Sequence, residues 1–137
     1  MIARAAGGLF TDGTSADYGQ PDAAEAARRF EEFPWTAQVL EWKTSQARAP
    51  LAPSVTFRND DGHLDIQASE TDGRFDVEIA LRRPGRVLGL FAGHAFDTGR
   101  ALEAERVRQV IATFFSDLDP AAKRESLRPL VAGGPIS

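Results

Sequence analysis

Between Phe75 and Leu81 apolar residues alternate with polar ones at a period of two, and no other run in the chain constrains the fold as tightly. Successive side chains of an extended strand leave opposite faces. Phe75, Val77, Ile79 and Leu81 must therefore share a buried face. Arg74, Asp76 and Glu78 take the other, which is wet or shared with a partner. Two shorter alternations precede this run, Val55 with Phe57 and then Leu64, Ile66 and Ala68. Asn59-Asp60-Asp61-Gly62, Glu70-Thr71-Asp72-Gly73 and Arg83-Pro84-Gly85 punctuate them. Glycine accepts positive φ in such turns, and Asn or Asp bonds its own backbone. Connections this short join antiparallel neighbours. The sequence thus predicts a β-meander of about four strands, with Val87 to Phe96 supplying the fourth.

Helical periods flank the meander. Asp22 and Glu25 have the spacing of a capping box, Ala26, Ala27, Phe30 and Phe33 share one face, and Pro34 stops the helix. From Leu102 to Leu118 a broad stripe (Val107, Val110, Ile111, Phe114, Phe115, Leu118) predicts a long helix roofing the sheet. Asp119-Pro120 opens a short terminal helix, which Pro129 is expected to end. In residues 35–46, Trp35, Val39 and Trp42 have helical spacing, but the aromatic and β-branched content suits a strand, and a strand is expected. The fold class is α+β: an antiparallel meander packed on one face by an N-terminal helix and a long C-terminal helix, plus the short terminal helix. Residues 1–20, aperiodic and rich in small residues, read as a flexible arm with a short strand near Leu9-Phe10. Residues 21–130 form a single domain and 131–137 a frayed tail.

Composition narrows the function. The 137 residues include no cysteine, which removes disulfides, thiolate metal sites and thiol catalysis. The apolar run at the N-terminus is too short for a signal-peptide core, and no stretch approaches a membrane span. A net charge of −4 argues against nucleic acid as partner. The chain is expected to be cytoplasmic and off the membrane.

No motif brings catalytic groups together. His63 follows a turn and His94 lies among glycines, three residues before Asp97; both read as solvated or structural. Placing Gly62 or Gly73 at the invariant glycine of an EF-hand loop puts Phe57 and Ala68, or Ala68 and Ile79, at its end ligand positions, which excludes that site. Residues 89–99 are glycine-spaced but lack the Gly-Lys-Ser/Thr of a P-loop. Asp60-Asp61, Asp76/Glu78 and Glu103/Glu105 read as solvated faces or a helix start, and Arg82, Arg83 and Arg86 as a basic turn. No catalytic residue, cofactor or metal ligand is expected. The remaining feature is the run from Arg86 to Phe96, apolar on both alternating faces. Either the rest of the chain covers it twice, or part of it meets a partner. Arg86, Val87, Leu88, Leu90, Phe91 and His94 are the candidate protein-binding residues.

Gly73-Arg74-Phe75-Asp76-Val77-Glu78-Ile79, the Pro-Gly turn, Gly89-Leu90-Phe91 and a helix ending Phe114-Phe115 together resemble small bacterial immunity proteins of polymorphic toxin systems, over about residues 54–118. The resemblance implies a protein that binds a cognate toxin and blocks it without catalysis or cofactor. It transfers no functional residue, because immunity surfaces vary with the toxin. A small, acidic α+β chain with a helix ahead of its strands also resembles type III secretion chaperones, which dimerise and hold a partner chain extended. The uninterrupted meander departs from their pattern. A small-ligand binder or enzyme with a cavity between sheet and helix is the third reading.

Overall fold

The computed structural model describes residues 9–10, 15–44, 52–71, 73–82, 86–87, 90–91 and 94–132, with backbone alone at 9, 10, 15, 86, 87, 90, 91 and 94. Two short strands, β1 (Leu9–Phe10) and β2 (Ser15–Asp17), precede helices α1 (Ala23–Glu32) and α2 (Trp35–Thr44). Strands β3 (Ser54–Asn59), β4 (Gly62–Ala68) and β5 (Phe75–Arg82) follow, then β6 (Arg86–Val87), β7 (Leu90–Phe91) and β8 (His94–Leu102). Helices α3 (Ala104–Phe114) and α4 (Pro120–Val131) complete the order. One sheet runs β1-β2-β3-β4-β5-β8, antiparallel except where β2 lies parallel to β3. The expected α+β meander is present, widened by β1 and β2 from the segment that the sequence suggests is an arm. Strands of two or three residues are too short to carry a period.

The face set by the alternation holds the core. Val55, Phe57, Leu64, Ile66, Val77 and Ile79 are each at most 3% exposed, and Val107, Val110, Ile111 and Phe114 of α3 pack over them. Burying a side chain of this size is worth roughly 1.5–3 kcal/mol, so this contact dominates the fold. Phe30 of α1 meets Phe75 edge-on at 5.1 Å, and Leu127 and Val131 of α4 close the other end. Tyr18 stacks on Phe57 at 5.7 Å, with the Arg29 guanidinium 5.3 Å from its ring centre; burial pushes its phenol up, opposed in part by Arg29.

Four local expectations are corrected. Residues 35–44 are helical, not a strand. Pro34 needs no N–H partner at a helix start, its carbonyl accepts from Gln38 N–H at 3.0 Å, and Trp35 docks among Phe30, Phe33 and Phe75 while donating Nε1–H to the Phe30 carbonyl at 2.9 Å. This anchor outweighs strand propensity. Pro129 lies inside α4 rather than ending it. Its missing N–H falls in the last turns, and the buried Arg106 guanidinium reaches the Pro129 and Leu130 carbonyls at 3.2 Å, satisfying C-terminal acceptors. Leu118 is not part of the apolar stripe: α3 stops at Phe114 and Leu118 is 43% exposed. The fourth meander strand is β8, His94–Leu102, rather than one continuous strand over Val87–Phe96; among the described residues β6 and β7 form a separate two-stranded ribbon.

Strand β8 carries a bulge. Phe75 is opposite Leu102 but Val77 is opposite Gly99, so one extra residue enters β8. Ala101 takes a left-handed conformation (φ 53°), and Asp76 Oδ1 accepts its N–H at 2.8 Å. The left-handed region costs a residue with a Cβ about 1–2 kcal/mol, whereas glycine loses roughly 0.4–1 kcal/mol through the unfolded chain. Ala101→Gly should therefore raise stability by about 0.5 kcal/mol, read as a higher urea midpoint at unchanged slope; a lower midpoint would mean that Ala101 is not strained.

Candidate functional site

The helices cover one face of the sheet. The other is built, over the described residues, from strand side chains alone. The register lays these out in rows. Arg58, His63, Ala80 and Phe96 stand across β3, β4, β5 and β8, and beside them run Thr56, Asp65, Glu78 and Thr98. Ser54, Gln67 and Asp76 make the next row, and Asp17 extends the second through its pairing with Thr56. A shallow depression of about 260 Å³ lies over Ser54, Asp65, Gln67, Asp76, Glu78 and Arg100.

Charge on this face is unevenly balanced. Asp17 is paired with Arg58 at 2.5 Å, and Asp76 lies 4.0 Å from Arg100. Asp65 accepts from Thr56 Oγ1 at 2.6 Å and has His63 Nε2 at 3.5 Å. Glu78 is exposed and, among the described residues, pairs with no basic side chain. Carboxylates directly opposite each other on neighbouring strands repel, and Asp65 and Glu78 are such a pair. Phe96, on the same face, is 60% exposed, an aromatic ring among polar neighbours.

The structure treats the sequence candidates unequally. For Arg86, Val87, Leu90, Phe91 and His94 only the backbone is described: Arg86 is opposite Phe91 and Val87 opposite Leu90 in the β6–β7 ribbon, and His94 opposite Arg82. Their side chains, and Leu88 altogether, lie outside the described residues. Asp97, the acid nearest His94 in sequence, is engaged on the helix side by Arg124 at 2.9 Å and Arg128 at 3.9 Å. The grouping of His63 with Asp65 and Glu78 escapes a linear reading. His63 and Asp65 are two apart on one strand, which period-two geometry could suggest, but Glu78 reaches them only through the β4–β5 register.

A second depression, about 310 Å³ and mainly apolar, lies between α2 and the β4–β5 turn, lined by Trp35, Val39, Leu40, Ala68 and Phe75. Lys43 and Arg74 also border it. Among the described residues no helix is long and apolar enough to cross a membrane. Compared with known proteins, the chain matches no family model, no curated protein and no solved structure.

Proposed function

We propose that this chain is a non-catalytic protein-binding module of the immunity type, which blocks a toxin by seating it on the face of the sheet opposite the helices. The observation that carries the reading is Phe96, a largely exposed aromatic side chain on β8, one row from Asp65 and Glu78. Aromatic side chains surrounded by polar groups are the usual energetic anchors of protein interfaces. An acidic row beside one favours a partner surface that is basic where it meets β4 and β5.

The test is a growth assay in which the product of the adjacent gene is expressed as the candidate toxin, with binding measured on the purified pair. The wild-type chain should relieve toxicity. Phe96→Ala should weaken the complex at least about tenfold, that is by about 1.4 kcal/mol or more, without lowering the melting temperature, since the ring is mostly in water already. A toxin neutralised equally well by Phe96→Ala places the interface elsewhere; a neighbour that is neither toxic nor bound removes the immunity reading.

A further inference from the structure

We propose that His63, Asp65 and Glu78 form a binding site for a divalent transition-metal ion, Zn²⁺ being the ion the donor set fits best. One ligand atom from each residue lies within 4.8 Å of the others. Zinc bonds to imidazole nitrogen and carboxylate oxygen are about 2.0–2.2 Å long, so donors around one ion stand closer together than this. His63 and Glu78 both have side chains reaching solvent, which leaves their rotamers free to draw in around an ion. The Cα positions are fixed, because Asp65 and Glu78 sit opposite each other between two flanking strands of the sheet.

Three features favour a metal over three solvated side chains. The donor set mixes imidazole with carboxylate, which suits zinc and its neighbours, whereas Mg²⁺ and Ca²⁺ seek oxygen donors alone. Thr56 holds Asp65 by Oδ1, while Oδ2 is the oxygen near His63 Nε2. A hydrogen bond of that kind orients a ligating carboxylate. The opposed carboxylates repel each other, and among the described residues no Lys or Arg is paired with either; a cation there turns the repulsion into attraction. Three protein ligands would leave the ion an outward position open to water or to a donor from another molecule.

The experiment titrates Zn²⁺ into the full, untagged, chelator-stripped chain by calorimetry near neutral pH, with the visible absorption of Co²⁺ as a second probe. One ion should bind per chain with a dissociation constant of about 10 µM. His63→Gln and Glu78→Gln should each weaken it by about tenfold or more, with unchanged circular dichroism. Absence of saturable binding below about 1 mM Zn²⁺, binding indifferent to His63→Gln, or binding lost instead in His94→Gln would overturn the site. The measurement uses the isolated chain, and Phe96→Ala should leave it unchanged, so the metal site and the protein-binding reading can fail separately.

Discussion

Gly62→Ala is expected to destabilise the domain by about 3 kcal/mol, the upper end of the usual cost of forcing atoms into a packed structure, and to lower the melting temperature by roughly 10 °C. Gly62 opens β4 directly after the Asn59-Asp60-Asp61 turn. A Cβ there would lie 1.7 Å from the Ala80 carbonyl oxygen, 2.8 Å from its carbon and 3.2 Å from Leu81 Cα. All three are backbone atoms of β5, so no side chain can swing aside. Either β4 and β5 separate where Gly62 faces Leu81, or the turn is rebuilt. The turn resists that: Asn59 Oδ1 accepts the N–H groups of Asp61 and Gly62 at 2.9 and 3.1 Å, and Asn59 Nδ2 donates to the Phe114 carbonyl at the end of α3. Gly73→Ala is the matched control. Gly73 is left-handed (φ +75°) but has nothing within 4 Å of its Cβ position, so only the conformational cost of about 1–2 kcal/mol applies. Urea unfolding of both variants separates collision from conformation; equal losses would show that the β4–β5 approach is looser than described.

How much of this was legible in the sequence follows from what each strand buries. β3, β4 and β5 put Val, Phe, Leu and Ile against α3, so period two is written in large apolar residues and their faces are read correctly. β8 is as long as any of them and left no such trace. Its helix-facing positions are Ala95, Asp97 and Gly99, because α4 comes so close that a Cβ on Gly99 would lie 2.8 Å from the Val131 carbonyl oxygen, and because Asp97 meets Arg124 instead of the core. A strand lined by small and paired residues has no hydrophobic period, so the apolar run that overlaps its start, residues 87–96, takes its place in a linear reading. The same holds for the candidate site. Solvation explains Asp65, Glu78 and His63 one at a time, and only the cross-strand register makes them neighbours. In residues 35–44 the helical spacing of Trp35, Val39 and Trp42 competes with strand-favouring aromatic and β-branched content, and burial does not follow hydrophobicity, Leu40 being 64% exposed and Gln38 buried, so the helix depends on the Trp35 anchor.

Asp61→Ala is expected to cost about 3 kcal/mol, while Lys123→Met, at the other end of the same ion pair, costs about 1 kcal/mol or less. The difference comes from where each charge is left. Lys123 on α4 is 3% exposed, its Nζ lies 2.7 Å from Asp61 Oδ2, and the ammonium sits 5.9 Å from the centre of the Phe114 ring. Removing Asp61 strands that ammonium in a nearly dry site, and the cost of an unpaired buried charge exceeds the net worth of the pair. Removing Lys123 leaves Asp61 with a side chain 18% exposed and the Arg82 guanidinium at 3.6 Å, so its charge remains compensated. Methionine also keeps the unbranched stem packed beside Phe114. The double variant should recover most of the Asp61→Ala loss, because an apolar side chain needs no counter-ion. A double-mutant cycle in urea measures this directly, the coupling being the departure from additivity. If Asp61→Ala and Lys123→Met lose stability equally and additively, α4 is not pinned to the β3–β4 turn through this pair, and the ammonium finds water when its partner is gone.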